Sequence, residues 1–583
     1  MVMLNFEIAK IFYDLADILE AQNVQWKPQA YRKAARTLES LKEPVEDIYD
    51  EKGIDGVKEL SGIGESIAEK IVEYIKTGKI SAYDKEKKKL PPSFAELLEI
   101  RSLGPKKAKF LYQKLKIKSL AGLEKAIKEH KIAKLSRFGP KSEENILAGI
   151  EMHKKRKARM YLGEAYPTAQ YLVSELKKLK EIKTAIAGGS LRRMKETIGD
   201  IDILVVPKDN KIATTSKIMN YFTKLPDVAR VLAKGGTKSA VVLKNGVQSD
   251  VRVLPEKSFG AALQYFTGNI DHNVKLRGIA IKKGYKLSEY GLFDRKTNRF
   301  VAGRTEEEVY KKLGLRWMPP ELREDTGEIE ASSKNKLPHL LKSEDIRGDF
   351  HIHTDWSDGS DTIEQMITAA KKLGYKYIAL TDHSKSDTIA KGMDEKRLEK
   401  YISAVRNAAR KHQGIKVLVG AEVYIKADGS LDYPDNILKK LDIVIASIHR
   451  NFKMPRELMT KRILRALSNK YVSILAHPTT RQINIREPID FDRKKVFEFC
   501  SNHKIPLEVN ASPLRLDLNF TDIKEAIGKG CKIIINTDAH NTEQLRYMLF
   551  GVATARKGWA EASDVVNTYP LKSLPKLFNY LRL

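Results

Sequence analysis

The sequence predicts a multidomain chain: a helical amino-terminal third, a middle region built on carboxylate-bearing strands, and a parallel β/α barrel at the carboxy terminus. Three observations carry this. Gly62-Ile63-Gly64 forms a glycine hairpin that opens an amphipathic stretch with Ile67, Ile71 and Ile75 on one face. Asp200-Ile201-Asp202-Ile203 alternates polar and apolar residues as a strand does. After residue 348, short apolar runs recur between helical segments at 377–381, 417–419, 443–447, 472–476, 506–509 and 533–536, the rhythm of a parallel barrel.

A chain of 583 residues is too long for one domain, since domains run to about 100–200 residues. Lys and Arg outnumber Asp and Glu by 105 to 75, a formal net charge of +30 that favours a polyanionic partner such as nucleic acid. An anionic membrane is the competing partner. No run of about 20 apolar residues is present, and the opening Met-Val-Met-Leu-Asn-Phe-Glu lacks the basic and long apolar segments of a signal peptide. A soluble intracellular protein with no membrane contact is expected. Only Cys500 and Cys531 occur, which excludes disulfide frameworks and cysteine-rich zinc fingers and leaves any metal to His, Asp and Glu.

The glycine hairpin and its helix look like a helix-hairpin-helix motif, whose Gly62 and Gly64 amides would bind a DNA phosphate without reading sequence. Two weaker echoes follow. In Ile100-Arg-Ser-Leu-Gly-Pro-Lys-Lys, Ser102 stands where the first glycine belongs, while Gly104, Lys106 and Lys107 remain expected DNA contacts. In Leu135-Ser-Arg-Phe-Gly-Pro-Lys, Arg137 takes that place, and both a DNA contact and a structural element stay open.

In the middle region, strand alternation turns Asp200 and Asp202 to one side and Ile201 and Ile203 into a core. Asp250, followed by alternating Val251 and Val253, would enter from a neighbouring strand and complete a three-carboxylate cluster able to hold two Mg²⁺ or Mn²⁺ ions. Gly188 and Gly189 permit close approach of phosphates, with Ser190 and Arg192 or Arg193 as donors to the same oxygens. Together these residues describe a site for transferring a nucleotide by the two-metal scheme. The bland alternative is a pair of acidic residues on an exposed strand face.

A polar stretch beyond Trp317-Met318-Pro319-Pro320 reads as a linker. Past it, the apolar runs end in His351-Ile352-His353, Asp382-His383, Glu422, His449, His477 and Asp538-Ala539-His540, with Asp358 in the first loop. Barrel active sites gather at the carboxyl ends of the strands, so these residues are expected to converge. Imidazole with carboxylate suits Zn, Mn or Fe. Nine or so ligands exceed one ion's capacity and imply a cluster of two or three. Arg450, Arg481 and Lys385 are candidate phosphate clamps beside them.

The order of hairpins, Gly-Gly-Ser turn, paired aspartates and Asp250 resembles family X DNA polymerases over about residues 1–318. The resemblance implies an α+β, polymerase beta-like nucleotidyltransferase palm with a thumb. It assigns Tyr265-Phe266-Thr267-Gly268 to the sugar side of a deoxynucleotide, Asn273 to the incoming base and Arg277 to template in the minor groove. It implies roles for Gly189, Ser190 and Arg193 at the triphosphate, and for Lys27 and Tyr31 at a DNA 5′-phosphate. Lys70 matches a lyase nucleophile, but Ser66 stands where lyase-active relatives carry a lysine, so contact with the DNA backbone stays open as its role.

The carboxy-terminal region resembles the polymerase and histidinol phosphatase (PHP) domain, a distorted (β/α)7 barrel, and the resemblance implies nine metal ligands: His351, His353, Asp358, His383, Glu422, His449, His477, Asp538 and His540. The expected organisation is a DNA-end domain over 1–88, fingers over 89–157, palm over 158–258, thumb over 259–318, linker over 319–347 and barrel over 348–583. The expected activity is short-gap filling on nicked or gapped DNA with dNTPs. A metal-dependent 3′→5′ exonuclease would accompany it, with cleavage at abasic sites a further expectation. The alternatives are fusion to a histidinol-phosphate-like phosphatase and a DNA-end scaffold with inactive sites. A monomer in a prokaryotic cytoplasm, associated with the nucleoid, is expected.

Overall fold

The computed structural model describes residues 3–22, 24–41, 45–77, 79–88, 97, 100, 103–135, 138–387 and 389–583. They divide into two units, Met1–Lys157 and Ala158–Leu583. Ser102 and Arg137 lie outside the described residues, as does the side chain of Lys106.

Among the described residues of the first unit, every regular element is a helix. One apolar core gathers residues 8–80, among them Phe12, Leu38, Ile67 and Ile71, and a second gathers residues 97–150. Helix Glu65–Thr77 buries Ile67, Ala68, Ile71 and Val72, with Ile75 half-buried against the same core. Gly62 takes φ 78°, and a Cβ there would stand 2.6 Å from the Lys33 side chain, so the hairpin requires glycine at this position.

In the second unit, five strands form the first sheet: β1 (Ile182–Ala187), β2 (Asp200–Pro207), β3 (Val228–Lys234), β4 (Lys238–Leu243) and β5 (Gln248–Val253), in the order β1-β2-β5-β4-β3. Here β2 and β5 are parallel, with Asp202 directly opposite Asp250. Ile201 and Ile203 are fully buried, as the alternation predicts, against helices Leu162–Lys177 and Ile212–Thr223. Helices Phe259–Thr267 and Ile270–Lys282, a three-stranded antiparallel sheet and helix Glu306–Lys312 follow.

Residues 319–347, expected as a linker, are built into the fold. Arg323 and Glu328 are fully buried, and Arg323 forms a bidentate pair with Glu306 at 2.6 and 3.0 Å. Glu306 also takes two bonds from Arg192, at 2.8 and 3.0 Å, and one from the Trp317 indole at 2.9 Å. Burial alone would raise the Glu306 pKa, but Arg323 and Arg192 outweigh it and hold the carboxyl at about 2. Its stabilising contribution is therefore fully present above the ordinary value of 4.5 and is lost as pH falls toward 2. Glu306→Gln, which leaves two guanidiniums facing an amide, is expected to cost about 3–5 kcal/mol at neutral pH. Urea unfolding checks this, and the deficit should shrink between pH 4.5 and 2; a pH-independent deficit would contradict the ion-pair account.

The barrel has seven parallel strands paired in sequence order: β6 (Gly348–Ile352), β7 (Tyr377–Leu380), β8 (Lys416–Tyr424), β9 (Ile443–Ser447), β10 (Ile474–Leu475), β11 (Leu507–Asn510) and β12 (Ile533–Asn536). A parallel bridge between Ile352 and Ala539 brings the ends nearly to closure. Alternation sorts the side chains into two layers. Ile443 and Ile445 join Phe350, Leu418 and Ile534 in one core with Leu574 and Phe578, while Val444 and Ala446 join the core shared with the helices. Strand β8 runs well past 417–419, so Glu422 lies within it rather than beyond its end. Among the described residues no helix is long and apolar enough to cross a membrane.

Candidate active sites

The first site stands on β2 and β5. The Gly188 amide donates to the Asp202 carbonyl at 2.8 Å, which ties the Gly-Gly-Ser turn to the carboxylate strand. Gly189 takes φ 65°, and a Cβ there would lie 2.9 Å from Asp202 Oδ2, so this turn needs glycine both for conformation and for space. Burial, then Asp200 and Asp250, raises the Asp202 pKa to about 6, with Arg252 and Lys238 opposing. Asp250 is 6 % exposed; its Oδ1 accepts from Gln248 Nε2 at 2.9 Å and its Oδ2 pairs with Lys238 at 3.0 Å. Asp200 is exposed. The sheet thus brings the three carboxylates to adjacent strands, where chain-borne donors already face the third. The sequence reading missed Lys238, Gln248 and Arg252, whose roles depend on strand pairing.

Several expected nucleotide contacts have structural partners. Arg193 donates through Nε to Glu324 at 3.1 Å and through Nη1 to the Thr267 carbonyl at 2.5 Å, and is 8 % exposed. Its neighbour Arg192 is occupied by Glu306 and by the Thr267 hydroxyl at 2.8 Å. Asn273 donates to the carbonyls of Tyr265, at 2.7 Å, and Gly268, at 3.3 Å, and accepts from Gln264, so its amide shapes the Tyr265–Gly268 turn. The rings of Tyr265 and Phe266 meet edge to face at 5.1 Å, and the Arg252 guanidinium lies 4.5 Å from the Phe266 centroid. Ser190 and Arg277 are half-exposed.

In the amino-terminal unit Lys70 donates to the Ser66 carbonyl at 2.7 Å and hydroxyl at 2.8 Å. Burial lowers its pKa; Glu69 and Glu73 oppose the shift, and Lys27 adds to it. Tyr31, expected at a 5′-phosphate, is a core residue, 8 % exposed with its ring 5.5 Å from that of Phe12. Lys27 and Lys107 are exposed, and Gly104 opens helix Gly104–Leu115.

The second site lies at the carboxyl ends of the barrel strands. Four groups there have ligand atoms all within 4.8 Å of one another: His353, Asp358, His383 and His540; His351, His353 and Asp538; His383, Asp387 and His449; and Glu422, His449 and His477. All nine expected residues are included. Glu422 is the hub: Oε1 lies 2.8 Å from His449 Nε2 and 2.9 Å from His477 Nε2, and Oε2 lies 2.9 Å from His383 Nδ1 and 3.4 Å from His351 Nε2.

The donor set fits divalent metal. Nε2 of His351, both ring nitrogens of His353, Nδ1 of His477 and Oε2 of Glu422 are buried without a hydrogen-bond partner, a costly arrangement that a cation would relieve. Burial, reinforced by His540 and His383, lowers the His353 pKa to about 3, and burial with Arg515 lowers that of His477 to about 4, keeping both rings in the neutral form that ligates. Burial would raise the Glu422 and Asp538 carboxyls, but the surrounding imidazoles hold both well below their usual range.

Two residues outside the sequence reading complete this site. Asp387 lies 3.6 Å from His449 Nδ1, in the loop after β7. Glu508, fully buried on β11, accepts from His351 Nδ1 at 2.8 Å and from the His477 amide at 2.6 Å, which turns His351 Nε2 toward the cluster. An acidic residue facing inward from a barrel strand was the available signal for Glu508. Two expected phosphate clamps are otherwise engaged, because each finds a nearer carboxylate. Arg481 pairs with Glu196 at 2.6 Å and also bonds the Leu516 carbonyl, and Lys385 pairs with Glu395 at 2.5 Å. Arg450 is exposed beside His449.

Comparison with known families matches a helix-hairpin-helix domain over residues 3–80 and a SAM-like helix-hairpin-helix tandem over 94–151. It also matches a DNA polymerase beta palm over 159–240, a DNA polymerase beta thumb over 262–324 and a PHP domain over 349–483. The chain is 36 % identical over 551 residues to the DNA polymerase/3′-5′ exonuclease PolX of Bacillus subtilis (strain 168), covering 94 % of each. Over 203 residues it is 34 % identical to a probable phosphatase of Thermoanaerobacter sp. (strain X514), covering 33 % of this chain and 78 % of that protein. It is 28 % identical over 349 residues to DNA polymerase lambda of Arabidopsis thaliana, covering 55 % of this chain and 62 % of that one. Paired carboxylates beneath a glycine turn, a barrel end that gathers nine His, Asp and Glu side chains and near full-length similarity converge on one conclusion: the chain belongs to the family X DNA polymerases that carry a carboxy-terminal PHP domain.

Proposed function

We propose that this protein is a DNA repair polymerase that fills short gaps, with a barrel that shortens or cleans 3′ ends as a 3′→5′ exonuclease. The observation that carries the reading is the presence of two separate acidic centres in one unit, one beside the Gly188–Gly189 turn and one lined by histidines. Divalent ions bound at each centre would supply Lewis-acid stabilisation of the charge that develops on the phosphate oxygens during displacement. In the proposed assignment these are Mg²⁺ or Mn²⁺ at the palm and two or three Zn²⁺, Mn²⁺ or Fe ions in the barrel.

The chain's own residues position the reactants. Asp200, Asp202 and Asp250 hold the palm ions, and Asp250 accepts the proton of the primer 3′-hydroxyl once Lys238 yields. Gly189 and Ser190 hold the triphosphate, with Arg193 bracing the turn. Tyr265 and Phe266 crowd a ribose 2′-hydroxyl. Asn273 and Arg277, one turn apart on helix Ile270–Lys282, lie along the base and template side. Gly62, Gly64, Gly104, Lys106 and Lys107 bind DNA backbone. In the barrel the nine residues hold the ions, while Glu508 fixes the His351 tautomer.

The test is a time course on one-nucleotide-gapped DNA labelled at the primer 3′ end, in Mn²⁺, with and without dNTPs and with a chelator control. Extension with nucleotides, shortening without them and loss of both on chelation are expected. Similarity of the barrel to a probable phosphatase favours a second reading, a small-molecule phosphatase; faster turnover of histidinol phosphate than of DNA ends would replace the exonuclease assignment.

A further inference from the structure

The palm and the barrel meet at a buried carboxylate that belongs to neither. Glu324, in the segment joining thumb to barrel, accepts from Arg193 Nε at 3.1 Å and Lys557 Nζ at 2.7 Å and pairs with Lys195 at 3.0 Å. Lys557 ends the barrel helix Met548–Lys557 and is 3 % exposed. Its ammonium also donates to the Arg193 backbone carbonyl at 3.1 Å. Arg193 in turn holds the Thr267 carbonyl, inside the Tyr265–Gly268 segment. The Gly188–Ser190 turn, which runs into Arg193, is itself tied to Asp202 through the Gly188 amide. A second bridge stands at the distal end of the turn, where Arg481, four residues past the ligand His477, pairs with Glu196.

Electrostatics alone does not account for Lys557. Glu324 already has two palm cations, and burying a third is costly. Burial, against the pull of Glu324, lowers the Lys557 pKa to about 8, so the fold tolerates the charge at some expense. An aliphatic side chain of the same length would pack more cheaply. What it would lack is the donor to the Arg193 carbonyl, a backbone acceptor that links the barrel helix to the segment following the Gly188–Ser190 turn.

We propose that Lys557, a barrel residue, is a positioning residue for nucleotide addition. It fixes the Arg193 backbone, and through it the Gly188–Ser190 turn and the Thr267 carbonyl, in the geometry that receives the triphosphate. The proposal rests on the polymerase reading. It makes the barrel a structural part of the palm's nucleotide pocket.

The experiment uses the full chain and single-nucleotide-gapped DNA. It measures KM for the dNTP and kcat, primer shortening without nucleotides, and thermal unfolding, for the wild type, Lys557→Met and Lys557→Arg. Loss of one buried donor predicts a rise in dNTP KM of about tenfold in Lys557→Met, with kcat less affected and shortening unchanged. Lys557→Arg, which keeps cation and donor, should recover most of the affinity. A folded Lys557→Met with unchanged KM overturns the proposal, as does an equal loss of both activities or a Lys557→Arg no better than Met. Should Lys557→Met fail to fold, Lys557→Gln, whose shorter amide falls short of the carbonyl, takes its place with the same reading. Failure of the wild type itself to extend the primer would reject the polymerase reading separately.

Discussion

Glu422→Gln is expected to lower 3′-end shortening by about 10³-fold or more while leaving nucleotide addition within about twofold. The carboxylate lies within 3.6 Å of five imidazoles, from His351, His353, His383, His449 and His477. Glutamine keeps the shape but removes the negative charge and places an amide N–H₂ where one of those contacts needs an acceptor. Loss of several kcal/mol of charge stabilisation corresponds to about a thousandfold in rate. The divalent metal retained per chain after dialysis should fall in parallel, which gives a readout independent of catalysis. Shortening at the wild-type rate with full metal content would remove Glu422 from the centre of the site and leave the barrel reading without its hub.

Asp202→Ala should produce the reciprocal loss: incorporation down by about 10³-fold or more, with shortening and DNA binding retained. Asp202 is the sharper choice over Asp200, because it lies opposite Asp250 and its own backbone carbonyl anchors the Gly188 amide. Alanine preserves the anchor and removes only the carboxylate, so a loss of incorporation reports the side chain. Single-turnover extension of gapped DNA measures it, and gel-shift binding guards against a general defect. If this variant lost both activities while still folded, the two centres would not be independent. If it lost neither, the paired carboxylates would be an ordinary strand face.

Local patterns survived into the structure wherever a single element carries the information. Alternation placed Ile201 and Ile203 in the core, and the glycine hairpin read at Gly62 takes a positive φ that glycine accommodates. The nine barrel residues were legible as a group because six of the seven strands carry one or more of them at or near the carboxyl end, and the fold brings these ends together. Partners contributed by a second element were not legible. Arg481 looked like a phosphate clamp and is a brace on Glu196, 285 residues away, and Arg193 looked free for triphosphate and is held by Glu324 and Thr267. The segment 319–347 looked like a linker because it is polar, yet Arg323 and Glu328 are buried there in ion pairs and hydrogen bonds.

The sequence by itself therefore determined the order of the family regions and which carboxylates and imidazoles the fold would gather. Periodicity, glycine conformation and ligand type are properties of short stretches of chain. Tertiary structure alone decided which cations are spent on carboxylates of the fold, how Glu508 orients His351, and that the barrel lysine Lys557 reaches the Arg193 carbonyl in the palm. A long cationic side chain can satisfy any carboxylate or carbonyl within reach, so its role is set by which acceptors folding brings within about 3 Å, and sequence does not encode that distance.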